Sequence, residues 1–194
     1  MHTLRRSQRY QSTIAHPMRG FSLVEVMVTV GILAILAALA GPSFQPLIDK
    51  WRVQQTVDNM KSTLYYARSE AIKRGGRIGI QKNAQGTDGC TLAKTTQEWG
   101  CGWFVFVDSD GSKKWKAGED VLQTTSPPSG IDIMHKPSGA NLNLDSYGKT
   151  NGANIISFTF SPNRTGISSP ATRTICMSSG GRIKVTEKLP CSNK

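Results

Sequence analysis

Histidine is scarce in this 194-residue chain: of three, two stand before position 20 and only His135 follows. Acid–base catalysis near neutral pH leans most often on that side chain. No Gly-x-Ser-x-Gly elbow, phosphate-binding glycine loop or evident carboxylate pair stands in for it. The sequence therefore reads as that of a non-enzyme, with His135 a structural residue on a short expected strand. Cysteine is sparse as well. Cys90, Cys101, Cys176 and Cys191 lack the close Cys or Cys/His pairs of a zinc site, so neither a metal nor a cofactor is expected. Three disulfide pairings are open. The two local ones, Cys90 with Cys101 and Cys176 with Cys191, are favoured because each closes a short loop.

Charge is missing from residues 21–41 (FSLVEVMVTVGILAILAALAG) except at Glu25. About 20 apolar residues match the hydrocarbon thickness of a bilayer, so the run reads as a transmembrane helix. A carboxylate inside it costs on the order of 2.5 kcal/mol or more, which marks Glu25 as functional and calls for a partner. The preceding 20 residues hold Arg5, Arg6, Arg9 and Arg19 and no acid, the flank that keeps an N-terminus cytoplasmic. Gly20-Phe21-Ser22-Leu23-Val24-Glu25 resembles the type IV prepilin motif, and Pro42 lies where pilins often kink this helix. The resemblance implies a leader over 1–20, removed by prepilin peptidase after Gly20, and methylation of the new amine on Phe21. It also implies that Glu25 pairs with the terminal amine of a neighbouring pilin in a fibre. Before assembly the subunit would sit in the inner membrane, singly spanning, with its head in the periplasm.

Loss of four arginines with the leader lowers the formal net charge from +11 to +7. A basic exported surface suits nucleic acid, anionic lipid or acidic polymer. All four cysteines lie in the exported part, where disulfides persist. Beyond Pro42 and Pro46, Val53, Val57, Met60, Leu64, Ala67 and Ala71 recur at steps of four and three, one face of an amphipathic helix over 42–76 that Gly75-Gly76 stops. Unbroken from 21 to 74, the helix would measure roughly 80 Å. The remainder, 77–194, reads as a β-rich head with strands at 77–81, 102–108, 121–123, 130–134, 155–160, 173–177 and 182–186 between turn-forming clusters. The expected fold class is α+β: a long N-terminal helix, transmembrane in its first half and amphipathic in its second, packed on an antiparallel, β-sandwich-like head.

Residues 67–74 (ARSEAIKR), 102–108 (GWFVFVD) with Asp110-Gly111 and Gly118-Glu119, and a closing Gly181-Arg182-Ile183-Lys184-Val185 together resemble the GspH/FimT group of minor pilins and pseudopilins. The closing residues are most similar to FimT-like members, whose Gly-Arg-x-Arg motif is linked to DNA binding in natural transformation; here Lys184 stands at the last position. FimU-like structural minor pilins of the pilus and GspH-like pseudopilins of type II secretion remain open. In an extended strand Arg182, Lys184 and Thr186 share a face opposite Ile183 and Val185, which sets two cations about 7 Å apart. That spacing is comparable to the step between phosphates and suits backbone binding without sequence readout. Gly180-Gly181 could present amides to an anion, and Arg173 and Lys188 could extend the stripe. The equal alternative for Arg182 and Lys184, and the favoured one for Arg173 and Lys188, is a solvated outer face. Lys113-Lys114-Trp115-Lys116 is a second basic cluster with an aromatic, expected to pack as a hairpin tip more than to stack bases. Asp108, Asp110 and Glu119 fall at positions 1, 3 and 12 of a calcium-type loop, but Ser112 and Lys113 occupy positions 5 and 6 and no helices flank it, so a polar turn is the preferred reading.

Overall fold

The structure, a computed structural model, describes residues 20–40, 44–150, 155–187 and 191. The chain divides into two compact units, Met1–Ser43 and Phe44–Lys194.

In the first unit, helix α1 covers Leu23–Ala40. Ser22 caps it: its Oγ accepts the Glu25 N–H at 3.2 Å, and Glu25 lies in the first turn, where the helix dipole favours an acid. Ser22 and Glu25 thus have the Ser-x-x-Glu spacing of a capping box. Among the described residues no helix is long and apolar enough to cross a membrane. The 18 residues of α1 reach about 27 Å, and the expected span over 21–41 runs on past them into residues outside those described. Residues 41–43, on which a continuous helix from 21 to 74 depends, lie outside the described residues.

The second unit opens with helix α2, Gln45–Arg74, which has Pro46 in its first turn. Val53, Val57, Met60, Leu64, Ala67 and Ala71 are all fully buried, so the stripe legible in the sequence is the face that meets the sheets. Each of the larger side chains contributes roughly 2 kcal/mol by leaving water. Gly75 ends the helix at φ +75°, its N–H bonded to the Ala71 carbonyl. That left-handed geometry is one glycine adopts without strain.

Among the described residues eight strands follow: β1 (Ile78–Lys82), β2 (Trp103–Val107), β3 (Val121–Thr125), β4 (Ile131–Lys136), β5 (Asn141–Leu144), β6 (Ile156–Pro162), β7 (Arg173–Met177) and β8 (Ile183–Thr186). They form two four-stranded antiparallel sheets, ordered β3-β2-β1-β5 and β4-β6-β7-β8. Strands expected from the sequence are present, 173–177 with the same ends and the others shifted by at most two residues, and β5 is additional. The core holds Trp99, Trp103, Ile80, Phe158, Phe160 and Ile175, each buried. Both tryptophans keep a partner for their indole N–H: Trp103 donates to Thr63 Oγ1 and Trp99 to the Gly139 carbonyl, each at 3.0 Å. His135 stacks on Phe158 with ring centres 4.5 Å apart and meets Trp99 edge-on. Burial holds its pKa down at about 4.

Disulfides join Cys90 to Cys101 and Cys176 to Cys191. The loop of the first is gathered by Lys82, whose ammonium donates to the carbonyls of Ala93, Thr95 and Glu98.

Candidate functional site

The basic C-terminal hairpin is built on a locked turn between β7 and β8. The Gly181 N–H donates to the Ser178 carbonyl at 2.8 Å, the Ser178 N–H to the Arg182 carbonyl at 3.0 Å, and the Arg182 N–H to Ser178 Oγ at 3.2 Å. Gly181 sits at φ +80°, and a Cβ there would come within 2.8 Å of the Arg68 guanidinium. Arg68 reaches in from α2, donating through Nη1 to the Gly181 carbonyl and through Nε to the Gly148 carbonyl. The expectation that Gly181 offers its amide to an anion is overturned, because that amide closes the turn.

Beyond the turn, side chains alternate. Ile183 and Val185 stand opposite Met177 and Ile175 and pack toward the core. Arg182 and Lys184 are exposed, and among the described residues no acid pairs with either side chain. Lys184 lies opposite Cys176, so the disulfide to Cys191 brings the tail back to the strand beside this cation. Arg173 does not extend the stripe: it is largely buried, binds Glu187 at 2.8 Å, and donates to the carbonyls of Pro170 and Thr172. Lys188 lies outside the described residues.

In the second basic cluster Trp115 and Lys116 are internally committed, whereas Lys113 and Lys114 are exposed. Trp115 packs edge-on against Phe104 and donates its indole N–H to the Glu119 carbonyl, while Lys116 pairs with Asp110. That pairing holds the Asp110 carboxyl well below the usual carboxylate range and raises Lys116. Asp108, Asp110 and Glu119 nevertheless converge, one carboxylate oxygen from each lying within 4.8 Å of the others. Sequence reasoning missed Arg68 altogether.

At the other end of the chain, Gly20 and Phe21 are exposed ahead of the first turn of α1. Residues 16–41 match the prokaryotic N-terminal methylation motif, and residues 56–185 match the family described as type II transport protein GspH. The chain belongs to the GspH/FimT-type minor pilin family. The crystal structure of the type IV minor pilin FimU of Pseudomonas aeruginosa PAO1, in two crystal forms, superposes with a TM-score of 0.52 and 22% identity, covering 69% of this chain and 91% or 87% of FimU. That likeness bears on the fold alone. The pilin-like protein PilA1 of Thermus thermophilus is 27% identical over 106 residues, 55% of this chain; the match spans 58% of the length of PilA1. GspH/FimT-type chains are structural subunits, and the methylation motif assigns this one to membrane-anchored pilin-type proteins processed at the N-terminus.

Proposed function

We propose that the chain is a FimT-like minor pilin of a type IV pilus whose C-terminal edge holds DNA through its backbone during natural transformation. Prepilin peptidase cuts between Gly20 and Phe21, Phe21 is N-methylated, and residues 21–41 hold the subunit in the inner membrane with residues 44–194 in the periplasm. Glu25 then takes the terminal amine of a neighbouring major or minor pilin, and the head reaches the cell surface within the pilus.

The DNA reading rests on one observation: Arg182 and Lys184 are exposed cations without an acidic partner among the described residues, carried on an edge strand behind a turn fixed by Arg68. Two such contacts neutralise two phosphates and impose no sequence preference. Lys184 binds as a point charge where arginine would fork, so affinity is modest. The test is retardation of duplex DNA by residues 44–194 over a salt series. Retardation that weakens with salt, and a slope that falls by about 2 in Arg182→Gln/Lys184→Gln, supports the reading. Retardation unchanged in that variant overturns the assigned site.

The second reading is a FimU-like structural minor pilin or GspH-like pseudopilin, in which the same lysine guards an exposed sheet edge against unwanted pairing. The FimU-like fold and the position of β8 at the sheet edge favour it. Absence of any retardation decides for it.

A further inference from the structure

The loop from β2 to β3 gathers three acids around one point, and one of their oxygens is left unsatisfied. Asp108 follows directly on β2 and is 5% exposed. Its Oδ2 accepts the Lys113 N–H at 3.0 Å, whereas its Oδ1 is buried with no hydrogen-bond partner among the described residues. An orphaned buried acceptor costs about 1–3 kcal/mol, and more when it carries charge. Asp110 accepts the Ser112 N–H on Oδ1 at 2.9 Å and the Lys116 ammonium on Oδ2 at 2.5 Å. Glu119 is held from behind by the Ser109 N–H and hydroxyl on Oε1 and by the Lys116 N–H on Oε2, at 2.8–3.1 Å.

Three oxygens within 4.8 Å of one another meet the geometric limit for a shared calcium ion. Ligands at about 2.4 Å from one centre are never more than about 4.8 Å apart. The three acids occupy the first, third and twelfth positions of the loop. Lys113, at the sixth, has φ +63° and so makes the left-handed turn for which calcium loops use glycine.

We propose that Asp108, Asp110 and Glu119 form a calcium site, and that the Lys116 ammonium is its built-in occupant when calcium is absent. The ion neutralises the orphaned Asp108 oxygen and displaces Lys116 from Asp110 into solvent, where that side chain is already 61% exposed. Water completes the coordination. With Lys113, Lys114 and Lys116 nearby and only three protein carboxylates, the affinity belongs to the weak extracellular class, about 0.1–1 mM. This site is independent of the DNA reading.

The test uses the full-length chain in detergent micelles with terbium as a luminescent probe, Trp115 serving as antenna, and calcium or magnesium as competitor. Expected is sensitised emission that calcium reverses at about 0.1–1 mM and magnesium reverses far less well. Asp110→Asn, at an exposed position, should weaken calcium about tenfold, and Lys116→Gln should tighten it about threefold. No emission reversible by about 10 mM calcium, or an Asp110→Asn chain that binds like the parent, overturns the site. Equal reversal by magnesium overturns the choice of ion.

Discussion

Arg68, on α2, donates its Nη1 proton to the carbonyl of Gly181, 113 positions further along the chain. The bond ties the turn of the basic hairpin to the helix that organises the whole second unit. It also makes the orientation of Arg182 and Lys184 depend on a residue outside their strand.

Gly181→Ala should therefore destabilise the head by about 2 kcal/mol, through a strained φ and displacement of the Arg68 guanidinium. Arg68→Met should cost a similar amount by leaving the Gly148 and Gly181 carbonyls without their donor. Midpoints of urea unfolding for residues 44–194 measure both. Parent-like midpoints would remove the clamp from the account.

Arg173 and Arg182 should separate in DNA retention. Arg182→Gln removes an unpaired cation, whereas Arg173→Gln removes one already committed to Glu187. The expected outcome is a several-fold loss of affinity for the first and less than twofold for the second, measured at equal salt. Lys184→Arg should strengthen retention by restoring the forked donor.

His135 makes stability depend on pH. Its folded pKa of about 4 lies below the unfolded value of 6.5, so the unfolded chain binds the proton more readily. Stability from this group is complete above about pH 6.5 and is lost as pH falls toward about 4, to a total of about 3 kcal/mol. His135→Phe, which keeps a ring against Phe158, should flatten melting temperature across that window. An unchanged pH profile would assign the acid sensitivity elsewhere.

Gly79 lies opposite Phe106 across β1 and β2, and a Cβ on it would come within 2.3 Å of that ring. Gly79→Ala should cost about 1–3 kcal/mol by overpacking, and Phe106→Leu in the same chain should recover part of it. Thermal unfolding of both variants provides the comparison.

The helix face from Val53 to Ala71 was legible because its period of 3.6 is repeated over five turns and nothing competes with it. Strand β5 was not, since its Asn-Leu-Asn-Leu alternation is four residues long and asparagine usually signals a turn. Alternation also revealed which way Arg182 and Lys184 face. It could not reveal that Arg173 meets Glu187, nor that Arg68 reaches Gly181, because such pairings arise only when distant segments come together. The acids of the 108–119 loop were visible in order. Their convergence was obscured by Lys113, which takes a backbone conformation that its identity argues against.

Lys82 has a further consequence. It draws three carbonyls of the 90–101 segment onto one ammonium, a second tie across the same loop that the disulfide closes. An ammonium that gathers the segment independently of sulfur should favour closure between Cys90 and Cys101 over capture of either by Cys176 or Cys191.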